Sequence, residues 1–293
     1  MKNSLLDCPR CHRRSPGLAR CGMCGYTPDV IGGFQNWAPD IGMDGVNYEE
    51  RHFARQARFE AGHFWFRARN RTIVWALQRY FPEAGSFFEI GCGTGFVLAG
   101  IAAALPAIRL VGAEALPAGL AFARRRLPHA EFMQMDARCI PFVDEFDVVA
   151  AFDVLEHIEE DEAVLRELHQ AVRPGGGLLL TVPQHRWLWS AVDVVAGHVR
   201  RYQSAELALK VRAAGFEIIR STSFVTLPLP AMFAVRRRAS ASRSSGAEAE
   251  LAVGRVPNLI LEYTLELERT LIRLGANLPV GGSRLVIARK PLD

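Results

Sequence analysis

The stretch that decides the fold reads Phe87-Phe88-Glu89-Ile90-Gly91-Cys92-Gly93-Thr94-Gly95. An apolar run leads into three glycines at alternate positions, and a helical pattern follows directly. Glycine permits a tight turn and lets a ligand approach the backbone without a Cβ clash. The N-terminus of the following helix favours an anionic group such as a carboxylate or a phosphate. The stretch therefore predicts a strand, a ligand-binding loop and a helix, in that order.

A dinucleotide-binding loop would share this outline, but the spacing argues against one. The dinucleotide fingerprint places Gly or Ala three positions after its second glycine. Counted from Gly91 and Gly93, that position is Phe96, whose bulk is wrong for close packing of helix against strand. The loop suits a cofactor that carries no pyrophosphate.

Short apolar runs alternate with helical patterns from residue 86 to about residue 224. This alternation predicts an α/β fold with a Rossmann-like, mostly parallel sheet and helices on both faces. The predicted strands are 86–90, 109–113, 131–135, 146–152, 177–182, 216–222 and 283–289. The predicted helices are 95–104, 117–126, 161–172 and 205–214, with a further helical pattern over 44–80.

Acidic residues follow the three strands after the glycine loop. Glu114 ends the second strand, where a carboxylate can accept both hydroxyls of a ribose. Asp136 follows the third strand, where it can accept from an adenine amino group, and Asp153 and Glu156 follow the fourth. Open α/β sheets bind ligands at the carboxyl ends of their strands. The ordered set therefore predicts a nucleoside-binding site, although any one of these acids alone would more often be a helix cap or a surface charge.

These motifs resemble those of the class I methyltransferases that use S-adenosylmethionine (SAM), especially the small-molecule branch with the ubiquinone-biosynthesis O-methyltransferases. The similarity runs from about residue 63 to residue 215 and resumes at the last strand. The matching segments are 89–95, 136–142, 146–149, 153–157 and 172–177. The resemblance implies SAM as cofactor and a seven-stranded sheet whose last strand is antiparallel, with residues 225–280 inserted before it.

Carried over position by position, the resemblance implies contacts from the glycine loop to the methionine end of SAM. It implies Glu114 at the ribose, where the family more often has Asp, and Asp136 with Ala137 at the adenine. It also places residues 152–155 beside the sulfonium and a helix over residues 63–70 across the cofactor, although that helix could simply pack on the core. The predicted cofactor-binding residues are Trp65, Arg69, Glu89, Gly91, Cys92, Gly93, Gly95, Glu114, Ala115, Asp136, Ala137, Phe152, Asp153 and Leu155.

Two histidines are candidates for a catalytic base, which methyl transfer needs only when the acceptor must lose a proton. His157 follows the fourth strand, beyond the sulfonium position. His198 lies in Gly-His-Val-Arg-Arg-Tyr, a segment that lines the acceptor side in resembling proteins. Either histidine could instead be structural. Further candidates for binding an acceptor or shaping its pocket are Asp193, Arg200, Arg201, Tyr202, Trp187 and Trp189.

No motif in the sequence identifies the methyl acceptor. The chain lacks both the Asn/Asp-Pro-Pro-Tyr signature of amino-nucleobase methylation and the Pro-Cys nucleophile of pyrimidine C5 methylation. We therefore predict a small-molecule, lipid or glycan acceptor. Two alternatives stay open: an RNA methyltransferase that docks through its N-terminal module, and a SAM-binding protein without catalysis.

Four cysteines near the start, Cys8, Cys11, Cys21 and Cys24, form two Cys-x-x-Cys pairs. Two such pairs supply four thiolates for tetrahedral Zn²⁺, as in a zinc ribbon. A module this small has little core, so the metal would provide most of its folding free energy. Free thiols or a redox role are the alternatives. Basic residues surround the pairs and would suit RNA or a carrier protein, or would form a solvated face: Arg10, His12, Arg13, Arg14 and Arg20.

The remaining sequence patterns bear on organisation and location. We predict a zinc module over 1–40, a helical cap over 41–85, the SAM-binding core over 86–224, an insertion or lid over 225–280 and a final strand over 281–293. The insertion holds a basic stretch, 236–245, predicted to be a mobile loop, and a helix over 258–275 with Ile260, Tyr263, Leu267, Leu271 and Leu274 on one face and Glu and Arg opposite.

The chain has 293 residues and a formal charge of +4, which is too mild to argue for nucleic acid. No apolar run approaches the roughly 20 residues that span a bilayer, and no signal peptide fits at the start. A cytoplasmic location is predicted. The apolar residues 224–235, followed by three arginines, could touch the inner face of the membrane or could form a lid over the acceptor. The oligomeric state cannot be predicted from these patterns.

Overall fold

The central strands of the sheet are buried on both faces, as expected where helices cover a parallel sheet. The computed structural model describes residues 5–11, 13–16, 20–38, 50–233 and 253–292. Its core strands are β5 (Ser86–Ile90), β6 (Arg109–Glu114), β7 (Glu131–Gln134), β8 (Phe146–Phe152), β9 (Val172–Pro183), β10 (Glu217–Phe224) and β11 (Ser283–Arg289). Strands β5 to β9 run parallel, and β11 lies antiparallel between β9 and β10. The predicted Rossmann-like fold is confirmed.

Two short N-terminal hairpins precede this core. Strands β1 (Leu5–Asp7) and β2 (Arg14–Pro16) pair with each other, as do β3 (Asp29–Ile31) and β4 (Phe34–Asn36). Strand β4 also pairs in parallel with β7, so the sheet has nine strands among the described residues rather than seven. The sequence did not predict this extension, because strands of three residues carry almost no periodic signal.

The helices cover both faces of the sheet. They are α1 (Glu50–Phe59), α2 (Phe64–Tyr80), α3 (Phe96–Ala104), α4 (Pro117–Arg126), α5 (Asp161–Ala171), α6 (Ala191–Val195), α7 (Ser204–Ala213) and α8 (Arg255–Arg273). The helical pattern predicted over 44–80 is broken at residues 60–63, where the His63 ring accepts a hydrogen bond from Trp65 N (3.2 Å) and caps α2. Residues 44–49 lie outside the described residues.

Helix α8 presents its apolar face outward. Ile260, Tyr263 and Leu267 are exposed, whereas Leu265, Glu268 and Ile272 are buried. Glu268 accepts hydrogen bonds from three consecutive backbone N–H groups, those of residues 225–227, and these contacts hold the polar side of the helix against the core. An amphipathic helix normally packs its apolar stripe inward, so this orientation is opposite to the one its pattern would suggest.

The apolar segment 224–235 behaves as a lid over its described part. Phe224, Val225 and Leu229 are buried, and Val225 with Met232 lines the cavity described below. This packing is the one expected of a lid, and the segment is called the lid below; its contact with a membrane stays an alternative prediction. The basic stretch 236–245 lies outside the described residues. Within the described parts of the chain, no helix is both long enough and apolar enough to cross a bilayer.

Candidate active site

A cavity of about 1040 Å³ opens at the carboxyl ends of β5, β6, β7 and β8. Small-molecule sites usually measure about 300–1,000 Å³, so this cavity is at the upper end of the range. The glycine loop, Glu114, Asp136 and Asp153 line one part of it, and His157 and His198 line another. The volume is sufficient for a cofactor and an acceptor side by side.

The glycine loop is shaped by backbone requirements that only glycine meets. Gly91 has a φ of 69°, and a Cβ there would lie 2.4 Å from Val154 Cγ2. Gly93 has a φ of 52°, and its N–H donates to Glu114 Oε2 at 3.1 Å, which ties the loop to β6. A side chain at Gly91 would therefore collide with Val154, and the open loop is the kind of cradle that a carboxylate can enter.

Gly95 packs closely against the neighbouring helix α4. Its φ is 71°, and a Cβ there would lie 3.0 Å from the backbone and the side chain of Ala123. Gly95 is not among the residues that line the cavity. This close packing explains the need for glycine at position 95, and its contact with a cofactor stays a prediction.

Glu89 and Glu114 are enclosed carboxyl groups at the floor of the cavity. Burial raises the pKa of Glu89 to about 8, although the Arg69 charge opposes the shift. Glu89 Oε2 has no hydrogen-bond partner among the described residues. Burial also raises the pKa of Glu114, while hydrogen bonds from Leu116 and Gly93 lower it. A buried oxygen without a partner is costly, so Glu89 is suited to receive a donor from a ligand.

Asp136 stands at the predicted adenine position, but its carboxylate already has a partner. Arg138 Nη2 donates to Asp136 Oδ2 at 2.8 Å, and Arg138 also reaches Glu160. Asp136 and Ala137 both line the cavity. Their contact with adenine stays a prediction, and Arg138 would have to share Asp136 with the base.

Helix α2 reaches the site through Arg69, which forms an ion pair with Asp153 (2.6 Å) at the end of β8. The guanidinium carbon lies 5.2 Å from the Trp65 ring centroid and 5.8 Å from that of Phe152. Cation–π contacts of this kind add to the attraction of the ion pair. The predicted closing segment 63–70 therefore does line the cavity, held by one buried arginine.

The predicted acceptor side is built around a pair of side chains, the buried Asp193 and the half-buried His198. Asp193 Oδ1 lies 2.9 Å from His198 Nδ1 and accepts from Arg201 Nε at 2.7 Å. Burial alone would raise the pKa of Asp193, but the hydrogen bond from His198 and the charge and hydrogen bond of Arg201 outweigh it and lower the pKa to about 2. Asp193 is thus ionised at neutral pH and favours the tautomer of His198 in which Nδ1 carries the hydrogen and Nε2 can accept a proton.

Glu156 and His157 lie beside this pair. Glu156 Oε1 is 4.0 Å from His198 Nε2, and neither Glu156 oxygen has a hydrogen-bond partner among the described residues. Burial and the neighbouring Asp153 charge raise the pKa of Glu156 well above its usual value. Burial, and then the His198 charge, lower the pKa of His157 to about 4, which makes it a weak base. One ligand-type atom from each of Glu156, His157 and His198 lies within 4.8 Å of the others, a grouping that could also hold a cation.

Several predicted residues lie away from the cavity. Leu155 is buried in the hydrophobic core and does not line the cavity, because it starts a helical turn that points it inward.

Tyr202 donates to Asp161 at 2.6 Å, and Arg200 pairs with Asp161 at 2.9 Å, so both stabilise the scaffold. Trp187 and Trp189 are exposed. Of the two predicted arginines, only Arg201 reaches the cavity.

The sequence interpretation missed two sets of site residues. Helix α1 closes one side of the cavity with Phe53, Arg55, Gln56 and Phe59. Glu60, which follows α1, accepts from Thr94 in the glycine loop at 2.7 Å and pairs with Arg126. The lid and α8 supply an apolar wall that includes Pro228, Ala231, Met232 and Leu261. No motif marks these residues, since only the packing of distant segments brings them to the loop.

The four N-terminal cysteines meet in one cluster. Cys8 Sγ lies 3.6 Å from Cys24 Sγ, and Cys11 Sγ lies 3.8 Å from Cys21 Sγ. A tetrahedron with Zn–S distances of about 2.3 Å has sulfur–sulfur edges of about 3.8 Å. The donor set and its spacing therefore fit one zinc ion.

A family model described as a methyltransferase domain matches residues 87–176. This segment, which includes the glycine loop and strands β5 to β8, is therefore similar to a methyltransferase domain. A probable S-adenosylmethionine-dependent methyltransferase of Mycolicibacterium smegmatis is 28% identical over 161 residues, which is 53% of this chain and 60% of that protein. Trans-aconitate 2-methyltransferase of Variovorax paradoxus is 34% identical over 106 residues, 36% of this chain and 41% of that protein. The chain therefore matches less than two thirds of the length of either relative.

The fold also has neighbours among solved structures. The crystal structure of the [4+2]-cyclase SpnF superposes with a TM-score of 0.53 at 22% sequence identity, over 78% of this chain and 84% of that one. This likeness concerns the fold. Because that neighbour is named as a cyclase, the fold alone does not determine the reaction.

Proposed function

We propose that this protein is a SAM-dependent methyltransferase that acts on an oxygen, nitrogen or carbon atom of a small-molecule, lipid or glycan acceptor, with His198 as its base. The observation that carries the proposal is the cavity, which is lined both by the carboxylates predicted to bind a nucleoside and by the hydrogen-bonded pair Asp193–His198. The named relatives, one of which is a trans-aconitate methyltransferase, support a small acceptor and give the RNA alternative no support.

The residues of the cavity fit SAM. Glu89 Oε2 offers a buried, unpartnered acceptor to the ammonium group of the cofactor, and the cradle at Gly91 and Gly93 would take its carboxylate. Glu114 would hold the ribose and Asp136 with Ala137 the adenine. When bound, SAM supplies a methyl group on a positively charged sulfur.

The chain's own residues would then align the acceptor and receive its proton. Asp193 contacts Nδ1 of His198 and so would leave Nε2 as the basic nitrogen, and Arg201 fixes Asp193 in turn. A base positioned in this way is worth about 10²–10⁴-fold in rate. The apolar wall from the lid and α8 would exclude water and orient the acceptor, and correct alignment contributes up to about 7–11 kcal/mol.

Calorimetry with SAM and with its demethylated product tests the cofactor site. We expect the wild-type protein to bind both, and Glu114→Gln to weaken binding by about tenfold, which is the loss of roughly one charge-assisted hydrogen bond. Glu131→Gln is the matched control. Glu131 pairs with Arg109 at the amino ends of β7 and β6, whereas the cavity lies at their carboxyl ends. Absence of binding by the folded wild-type protein would refute the proposal.

Methyl-labelled SAM added to fractionated cell extracts tests the reaction. Label in a small molecule, lipid or glycan supports the proposal, whereas label in RNA would replace it with the RNA alternative. Binding without turnover on any fraction would indicate a SAM-binding protein that does not transfer methyl groups. Turnover should persist in the presence of a chelator that is too weak to remove zinc from the cysteine cluster. The reason is that His198, as the proposed base, needs no cation beside it.

A further inference from the structure

Helix α8 carries an exposed apolar stripe along its whole length. Seven side chains form it, with exposed fractions between 39% and 81%: Val256, Leu259, Ile260, Tyr263, Leu267, Leu271 and Leu274. At 1.5 Å per residue the 19-residue helix is about 28 Å long. Monomeric soluble proteins rarely expose a continuous apolar surface of this extent, which usually marks a contact with a membrane or another macromolecule.

The charges of α8 are distributed unequally between its two sides. Glu262 pairs with Arg67 and Arg71 of α2, and Glu268 is buried against the lid. Glu266, whose side chain is 36% exposed, pairs with Arg269 of the same helix. The exposed charged residues of α8 that remain are Arg255 and Arg273, at its two ends. The outer side of the helix is therefore apolar in the middle and positive at both ends, which is the pattern of interfacial helices.

This charge pattern disfavours a second copy of the chain as the occupant. A two-fold pairing of α8 with itself would place Arg255 beside Arg273 of the other copy if antiparallel, and each arginine beside its own equivalent if parallel. Both arrangements bring like charges together, which is unfavourable at an interface. A surface with negative headgroups would satisfy both arginines at once.

The stripe also lies next to the mouth of the cavity. Leu261 of α8 and Val253 just before it line the cavity, as does Val195 of α6. Val195 is itself exposed. The segment that carries the exposed stripe therefore also contributes to the wall of the cavity.

We propose that the outer face of α8 docks on the surface of a lipid bilayer that contains anionic headgroups. The apolar stripe would enter the headgroup region while Arg255 and Arg273 contact phosphates. Docking in this way brings the cavity mouth to the bilayer, so the acceptor class is a lipid or a lipid-anchored molecule. That consequence rests on the proposed function, whereas the docking surface does not.

Flotation with vesicles tests the surface. The full-length protein is mixed with vesicles of phosphatidylcholine, with and without phosphatidylglycerol. We expect flotation with the anionic vesicles, reduced by salt, and weak flotation with the neutral ones. Leu267→Glu should weaken partitioning by at least about tenfold, because it removes a leucine that would enter the headgroup region and adds a negative charge. Arg255→Gln with Arg273→Gln should lower the preference for anionic vesicles.

Leu209→Glu is the matched control, since Leu209 is 67% exposed on α7, away from the stripe, and this variant should float like the wild type. Circular dichroism and SAM calorimetry verify that each variant is folded. Equal flotation of Leu267→Glu and wild type, or no flotation of the wild type, would overturn the proposal. A wild-type dimer in sedimentation that Leu267→Glu dissociates would assign the stripe to a second copy instead. Flotation without SAM binding would leave the docking surface standing and refute only the proposed function.

Discussion

His198 owes its proposed role to a carboxylate that solvent does not reach. Asp193 is fully buried and accepts from Arg201 and from Ser190 N (2.8 Å) in addition to its contact with His198. Its position is therefore fixed, and the histidine that it orients loses little freedom when an acceptor arrives. Burial and then the His198 charge lower the pKa of His157 to about 4, which makes it a poor proton acceptor at neutral pH.

Replacement of His198 tests this assignment. His198→Asn should lower kcat by about 10²–10⁴-fold, because the acceptor proton would have no receiver, while the affinity for SAM should stay within about twofold of wild type. The measurement is steady-state kinetics once an acceptor is known, together with calorimetry. His129→Asn, at an exposed histidine remote from the cavity, should leave both values unchanged. Full activity of His198→Asn would exclude the base role.

Glu89 gives a prediction about stability against pH. Its pKa is about 8 in the folded chain, against 4.5 for an exposed glutamate, so the folded state holds a proton that the unfolded state loses between these values. The contribution of Glu89 to the free energy of unfolding is greatest below pH 4.5. It falls by about 1.4 kcal/mol per pH unit as the pH rises toward 8. Glu89→Gln should remove this part of the slope in urea unfolding of the ligand-free protein, and the exposed Glu83→Gln should not. Parallel slopes for Glu89→Gln and wild type would contradict the burial argument.

At the scale of elements, one side chain joins α8 to the lid. Glu268 accepts from Val225 N (2.6 Å), Thr226 N (2.7 Å) and Leu227 N (2.8 Å). Val225 has a φ of 59°, a strained value for a β-branched residue. The three hydrogen bonds hold the backbone in this conformation and so position the lid over the cavity.

Glu268→Gln should therefore destabilise the protein by about 2–3 kcal/mol, because a neutral amide offers one acceptor oxygen where the carboxylate offers two. The free energy of unfolding in urea measures this loss. Glu217→Gln, at an exposed position on β10, is the control and should change stability by less than about 0.5 kcal/mol. An unchanged midpoint for Glu268→Gln would show that the lid does not depend on this contact.

At the scale of the whole molecule, the hairpin β3–β4, which follows the cysteine cluster along the chain, extends the central sheet. Strand β4 pairs with β7, Trp37 N donates to Gln134 O at 2.8 Å, and Asp7 N donates to Pro141 O at 2.7 Å. These contacts flank Asp136 on both sides along the chain. Loss of the N-terminal module would therefore remove support from the predicted adenine side of the cavity.

Removal of zinc should destabilise the N-terminal module and also weaken SAM binding in the cavity. The purified protein should contain about one zinc per chain, because four cysteines complete one tetrahedral site. Cys8→Ser should lose the metal, lower the melting temperature and weaken SAM binding several-fold, since metal binding supplies folding free energy to the module. Elemental analysis and calorimetry measure these effects, with Cys139→Ser, outside the cluster, as control. Metal-free wild-type protein with full affinity for SAM would refute the coupling.

The amino-acid sequence by itself determined the seven core strands of the sheet, the glycine loop and the order of the acidic residues that follow the strands. These features depend on local chemistry: apolar runs form strands, Gly91 and Gly93 permit a turn, and a carboxylate after a parallel strand must lie at the same edge as its neighbours. The two Cys-x-x-Cys pairs likewise specify a metal-type cluster through spacing alone.

Tertiary structure alone decided which residues share the cavity and which face of α8 meets solvent. Leu155 and Gly95 belong to motif segments, yet they pack against the core and against Ala123, and neither lines the cavity. Other side chains gain their roles from partners elsewhere in the chain. Glu60 accepts from Thr94, 34 residues away, and Glu268 accepts from Val225 N, 43 residues away. Asp193 contacts His198, five residues away. The amphipathic pattern of α8 specified two faces but not their direction, because ion pairs and backbone hydrogen bonds with distant segments fixed the polar face inward.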